Sequence, residues 1–272
     1  MTQPRPYIIG IAGGTGAGKT TFAKSIYASF GGKGWEMDSN ASPRWGVDPP
    51  SEATNRDGGD GRPWQTRIEH LSHDDYYRDL AHLPVEERAK TNFDHPHSLD
   101  TDLLINHLQQ LIDGKSVVVP RYDYKRHCRF KEGEVDGDGR STGRKVESAR
   151  VVLVEGILIL QNQELVNLMD LKVYVDASSD IRLMRRIQRD TIERGRNLPD
   201  ILDQYSKTVR PMHNEYVGPS KKNADLLVHG HHEDEEVSRK RMALAMTVIC
   251  NHLKMETGLA NNSVTVVGGN WD

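Results

Sequence analysis

Residues 13 to 20 read Gly13-Gly14-Thr15-Gly16-Ala17-Gly18-Lys19-Thr20, the pattern G-x-x-x-x-G-K-[ST]. Glycines at this spacing let consecutive backbone N–H groups converge on a polyphosphate, and the N-terminus of a following helix adds partial positive charge. In this arrangement Lys19 reaches the β- and γ-phosphates and the Thr20 hydroxyl ligates Mg²⁺, with Thr21 completing the turn into the helix. The motif therefore binds a nucleoside triphosphate with Mg²⁺ and leaves the fate of the phosphate open.

Three other clusters carry chemistry. His73-Asp74-Asp75-Tyr76-Tyr77 follows a short apolar segment and puts two acids where ligands bind in open α/β sheets, beyond the carboxyl ends of strands. Either acid could serve a metal ion or a proton transfer; read as extended chain, the two point opposite ways and one faces the site. Glu155 ends the most apolar run of the chain and is placed to hold Mg²⁺ through water beside the phosphate loop. Arg182, Arg185, Arg186 and Arg189 fall on one helical face, with Arg194 and Arg196 beyond it. Such a stripe without matching acids calls for an anion, which the triphosphate supplies. Asn92-Phe93-Asp94-His95-Pro96 and Pro120-Arg121-Tyr122-Asp123-Tyr124-Lys125-Arg126-His127 mix aromatic, acidic and imidazole groups. That mixture suits a sugar or a base and equally suits a surface loop.

Elements must position these groups. Strand-like segments run over Tyr7–Ala12, Ile68–Ser72, Ser116–Pro120, Val151–Glu155, Lys172–Asp176 and Asp225–His229. Helical periodicity occupies Thr20–Ser29, Asp100–Leu111, Asp180–Glu193, Pro199–Met212 and Glu235–Met255. The alternation predicts an α/β fold, a mainly parallel sheet with helices on both faces. Residues 31–67, rich in Gly, Pro, Ser and Asp, read as an inserted mobile segment, and 133–150 as a polar connection or short hairpin. Trp35, Trp45 and Trp64 lie in the insert and Trp271 in a tail from Thr257 onward, which leaves the predicted core without tryptophan. One domain, 1–256, is expected, with 257–272 a tail.

The chain has 272 residues and a net charge of −3, which gives no electrostatic case for nucleic acid or an anionic membrane. Cys128 and Cys250 have no metal or redox spacing, no apolar run is long enough to span a bilayer, and Met1–Pro6 lacks the apolar core of a signal peptide. A cytoplasmic enzyme acting on a small molecule is the expectation.

The linked motifs Gly10–Thr20, Ser72–Tyr77, Asn92–Pro96, Pro120–Arg129, Val151–Leu158 and Val173–Gln204, with Glu193-Arg194-Gly195-Arg196, resemble the uridine kinase (uridine–cytidine kinase) family of P-loop nucleoside kinases. The resemblance spans about Tyr7 to Val228 outside the insert. It implies a P-loop NTPase fold with an arginine-bearing lid, and transfer of phosphate from ATP or GTP, with Mg²⁺, to the 5′-hydroxyl of uridine or cytidine. Asp74 then matches the general base, Thr20, Asp74 and Glu155 the metal shell, and Asp94 the ribose grip. Tyr122 and His127 match the pyrimidine readers, Phe93 and Tyr124 the aromatic walls, and Tyr77, Arg186, Arg196 and Gln204 further nucleoside contacts. Arg189 and Arg194 match the lid arginines. A homotetramer inhibited by end-product triphosphates is also implied. Two departures stand out: Arg121 replaces a residue that is usually apolar, and His229-Gly230-His231-His232 stands where a Pro-Arg-Gly segment is usual. The alternatives are a phosphoribulokinase- or pantothenate-kinase-like enzyme, or a catalytically silent nucleotide-binding module. An Asn-Lys-x-Asp motif, which would favour a GTPase switch, is absent from the sequence.

Overall fold

The computed structural model describes residues 4–30, 64–88, 90–124, 126–131, 134, 143–231 and 234–259. Most of the expected insert, with Trp35 and Trp45, and the tail from 260, with Trp271, lie outside these residues.

In chain order the elements are β1 (Tyr7–Gly13), α1 (Lys19–Ser29), β2 (Ile68–Ser72), α2 (Val85–Arg88), α3 (Thr101–Ile112), β3 (Val117–Pro120), β4 (Tyr122–Asp123) and β5 (Cys128–Arg129). There follow β6 (Gly143–Val146), β7 (Val151–Gly156), α4 (Gln163–Leu168), β8 (Leu171–Asp176), α5 (Ser179–Ile192), α6 (Leu198–Gln204), α7 (Arg210–Met212), β9 (Leu226–His229) and α8 (Glu235–Thr257).

Five strands form one parallel sheet in the order β2-β7-β1-β8-β9. Parallel strands need covering on both faces, and the residues of β7 show how it is done. Val152 and Val154 join Ile8, Leu71, Leu104 and Leu108 under α3 and α4, while Val151 and Leu153 join Ile11, Phe22, Ile26, Met246 and Leu253 under α1 and α8. All four valine and leucine side chains are fully buried, each worth about 1.5–3 kcal/mol of transfer free energy. The alternation of β1 and β7 between two cores is what fixes their register.

Four expectations need correction here. Ser116–Pro120 does not join the parallel sheet. Its strand, β3, pairs antiparallel with β6 in a separate ribbon, burying Val117 and Val119 and leaving Val118 63% exposed, the alternation of a one-sided ribbon. The core does contain a tryptophan: Trp64 is buried, its indole N–H donates to Ser148 Oγ at 3.4 Å, and the Arg150 guanidinium lies over its ring. The helix expected over 199–212 continues to Val217, with π-helical turns at Tyr205–Val209 and His213–Val217. Thr257, read as the start of the tail, is instead buried at the end of α8, where Gly258 at φ 70° closes the helix.

Candidate functional site

The site lies beyond the carboxyl ends of β1, β2 and β7. β1 is the central strand, and the turn after it carries Gly16 at φ 76° and Gly18 at φ 96°. A Cβ at Gly16 would lie 2.4 Å from the Arg182 carbonyl oxygen, while one at Gly18 would meet nothing closer than 3.9 Å. The loop is thus packed against α5 on one side and open on the other, as a phosphate cradle must be. Gly13, Gly14, Thr15 and Ala17 complete its backbone, with the Ala17 N–H donating to Gly14 O at 3.0 Å. Lys19 opens α1 and is buried. Thr21 follows one residue inside the helix, its carbonyl accepting from Ser25.

Across from the loop, Glu155 is 4% exposed and holds two hydroxyls: Thr20 Oγ1 donates to Oε2 at 3.2 Å and Ser72 Oγ to Oε1 at 2.8 Å. Burial raises the Glu155 carboxyl above its usual range; Lys19 opposes this and Asp74 adds to it. Asp74 and Asp75 sit on a 3-10 turn, His73–Tyr76, rather than on extended chain. The premise of extended chain therefore fails; on the turn, burial pushes Asp75 up to about 7, with Arg144 opposing and both Asp74 and Glu155 contributing. Gly156 makes room for this turn, since a Cβ there would lie 2.5 Å from His73 Cβ. Glu155, Asp74 and Thr20 bring two acids and a hydroxyl together at the phosphate loop, oxygen donors of the kind that a hard divalent cation takes. Among the described residues no group of three or more His, Cys, Asp or Glu side chains forms a metal cage by itself.

A second set of predicted residues comes together beside the first. Tyr77 packs edge-on to Phe93 at 5.6 Å and against Tyr122 at 5.1 Å; Tyr122 meets Tyr124 at 5.5 Å; Phe93 stacks on His127 at 5.0 Å and 20°. His127 reaches this position because it adopts φ 51° in the β4–β5 turn. The Tyr122 hydroxyl is buried and finds no hydrogen-bond partner among the described residues, an unmet polar group in an aromatic pocket. Asp94 is buried at the edge of the pocket, its carboxyl raised by burial and by Asp74 against the pull of Arg186.

Helix α5 ties the two halves together. It buries Arg182, Arg186 and Asp190, one residue per helical turn, and exposes Met184 and Ile192. Arg186 Nη1 donates to Thr15 Oγ1 at 3.3 Å and its Nη2 to Gln204 Oε1 at 2.8 Å, and Arg196 Nη1 donates to the same Gln204 oxygen at 2.6 Å. Arg194 lies over the Tyr124 ring at 5.4 Å. The premise of a stripe without acids is incorrect: Asp190, on the same helix, is fully buried and pairs with Arg186, Arg189, Arg194 and Arg196. Burial alone would raise its carboxyl, and the guanidiniums of Arg189, Arg194 and Arg186 hold it below the usual range instead. Sequence reading passed over Asp190; its i+4 spacing from Arg186 was the available signal. It also passed over Ser72 and over His213, which lies beside Gly14 and Arg182.

His213 yields a prediction about stability. Burial, with Arg182 and Lys221 adding and Asp176 opposing, brings its imidazole from 6.5 down to about 4, and its Nδ1 is buried without a partner among the described residues. Between these values the unfolded chain binds a proton that the folded chain does not. The stabilisation is present above 6.5 and lost as pH falls toward 4. His213→Gln should flatten the acid limb of a Tm-against-pH curve in this window, by up to about 1.4 kcal/mol per pH unit. An unchanged slope would reject the assignment.

A phosphate loop after the central strand of a parallel sheet, faced by a buried carboxylate and crossed by an arginine-bearing helix, defines a P-loop kinase. The comparisons with known proteins narrow this. The profile of the Phosphoribulokinase / Uridine kinase family matches residues 8–236, and the chain belongs to that family. It is 40% identical over 228 residues to a uridine kinase of Oceanobacillus iheyensis, covering 84% of this chain and 88% of the relative. It is 38% identical over 262 residues to a uridine kinase of Anoxybacillus flavithermus, covering 96% and 99%. A uridine kinase of Bacillus thuringiensis is 42% identical over 228 residues, covering 84% and 87%. Among solved structures, a candidate fructose transport system kinase from Silicibacter sp. TM1040 superposes with a TM-score of 0.53 at 16% identity, over 83% of this chain and 90% of that one, which speaks to the fold alone. No helix among the described residues is long and apolar enough to cross a membrane.

Proposed function

We propose that this chain transfers the γ-phosphoryl group of ATP, or of GTP, to the 5′-hydroxyl of uridine or cytidine, giving UMP or CMP, the nucleoside diphosphate and a proton, as a step of pyrimidine salvage. The observation that carries the reading is Arg186. It donates at once to Thr15 of the phosphate loop and to Gln204, and its charge pulls on Asp94 at the edge of the aromatic pocket, so one side chain spans donor and acceptor halves. The names of the relatives agree with it.

In this reading Tyr77, Phe93, Tyr122, Tyr124 and His127 hold the base, and the unmet Tyr122 hydroxyl bonds to its edge. Asp94 takes the ribose hydroxyls, with Arg186, Arg196 and Gln204 closing the pocket. Asp74 accepts the proton of the 5′-hydroxyl. Lys19, Arg189 and Arg194 hold the charge that spreads over the transferring phosphoryl oxygens. Thr20, Glu155 and Asp74 would hold Mg²⁺, which supplies further neutralisation of the phosphates when bound. Assembly as a homotetramer belongs to the same reading and is checked by sedimentation.

The test is release of ADP from ATP in the presence of uridine, cytidine, their deoxy analogues, ribulose 5-phosphate and pantothenate. Release that depends on a pyrimidine ribonucleoside is expected. Dependence on a sugar phosphate or on pantothenate, or no acceptor dependence while ATP still binds, would overturn the proposal.

A further inference from the structure

Asp190 is inaccessible to solvent, yet its two carboxylate oxygens serve different groups. Oδ1 accepts from Arg189 Nε at 2.9 Å and Nη2 at 2.8 Å, and pairs with Arg194 Nη1 at 3.4 Å. Oδ2 pairs with Arg186 Nε at 3.6 Å and Arg196 Nη1 at 3.4 Å. The first pair are the arginines assigned above to the transferring phosphate. The second pair meet again at Gln204, and their charges act on Asp94 and His127 of the aromatic pocket.

The two pairs also differ in how they are held. Arg186 and Arg196 both donate to Gln204, and Arg186 is 7% exposed, whereas Arg189, Arg194 and Arg196 side chains are 31%, 34% and 31% exposed. Arg196 is held by its backbone as well, its N–H donating to the Asp190 carbonyl at 3.0 Å. One carboxylate among four guanidiniums leaves a local excess of positive charge, and a buried acid with too many partners is a shared resource. An arginine that leaves it weakens the competition for the charge that stays.

We propose that Asp190 is a positioning residue that couples the two substrate sites. Oδ1 parks Arg189 and Arg194 in the absence of the triphosphate. Their departure to the phosphate leaves the carboxylate's charge to Arg186 and Arg196, which then hold the nucleoside pocket more firmly. The inference rests on the functional reading above. By linkage, the nucleoside tightens the triphosphate by the same factor.

The experiment is calorimetric binding of uridine with and without the Mg²⁺ complex of the non-hydrolysable β,γ-imido analogue of ATP. For the wild-type chain, uridine should bind about 5–50-fold more tightly when the analogue is present. In Asp190→Asn, which keeps shape and removes charge, the ratio should fall to within about twofold of unity. A merely structural role would weaken both affinities and leave the ratio at its wild-type value, and that result would overturn the proposal. Should Asp190→Asn fail to fold in a thermal melt, Arg194→Gln removes one claimant from Oδ1 and should shrink the ratio, and an unchanged ratio there is equally fatal. Wild-type binding of uridine with a ratio near unity would overturn the coupling alone. Wild-type failure to bind uridine in either condition would overturn the functional reading and the coupling with it.

Discussion

Asp74→Asn is expected to lower kcat by about 10²–10⁴ while uridine still binds, the range that removal of a general base produces. The reasoning begins with the chain: β2 ends at Ser72, and the 3-10 turn His73–Tyr76 delivers Asp74 to the site, where its charge raises Glu155, Asp75 and Asp94 alike. A carboxylate sensed by three acids stands between the phosphate loop, the adjoining acid and the ribose side of the pocket. Asparagine keeps its size and one acceptor oxygen and loses the ability to take a proton. Calorimetry for uridine and steady-state kcat measure the two halves separately. Asp75→Asn is the control: Asp75 is pushed up to about 7, but it is the neighbour and should retain kcat to within about tenfold. Near-normal turnover in Asp74→Asn combined with loss in Asp75→Asn would move the base by one residue.

The second large effect is at Lys19. Lys19→Met should cut kcat/KM by about 10²–10³, the usual consequence of losing one preorganised charge at a transferring group. Lys19 is buried at the first position of α1, and it is the group that most opposes the raised carboxyl of Glu155. Its removal therefore acts twice. The phosphates lose a cation, and the Glu155 carboxyl, left among Asp74 and hydroxyls, is raised further. A shift of the Mg²⁺ concentration for half-maximal rate to higher values should accompany the loss of turnover. A Lys19→Met enzyme with unaltered kcat/KM would mean that the phosphates lie elsewhere.

The parts of the fold that were legible are those governed by local pattern. The phosphate loop, the apolar run of β7 and the helical stripe of α5 each announce themselves within a dozen residues, and the parallel sheet follows from their alternation. The residues of the aromatic pocket could be named by resemblance, but not their mutual stacking, because Phe93 and His127 are brought face to face by two separate loops. What stayed hidden depended on distant partners. Trp64 is buried by Ser148 and Arg150, which no window around residue 64 contains. Asp190 went unread beside six arginines, and only the folded helix shows that it faces inward. The turn at 73–76 was misread as extended because its tightness comes from the room that Gly156 leaves.

Helix α5 turns Arg182, Arg186 and Asp190 inward and leaves Met184 and Ile192, 60% and 67% exposed, outside. That inversion has a thermal consequence. Heat capacity changes track the exposure of apolar surface, and a rearrangement of this helix on ligand binding would trade one set of ionic contacts for another while its hydrocarbon stays in water throughout. The contribution of α5 to the heat-capacity change of binding should therefore be small beside that of the aromatic pocket.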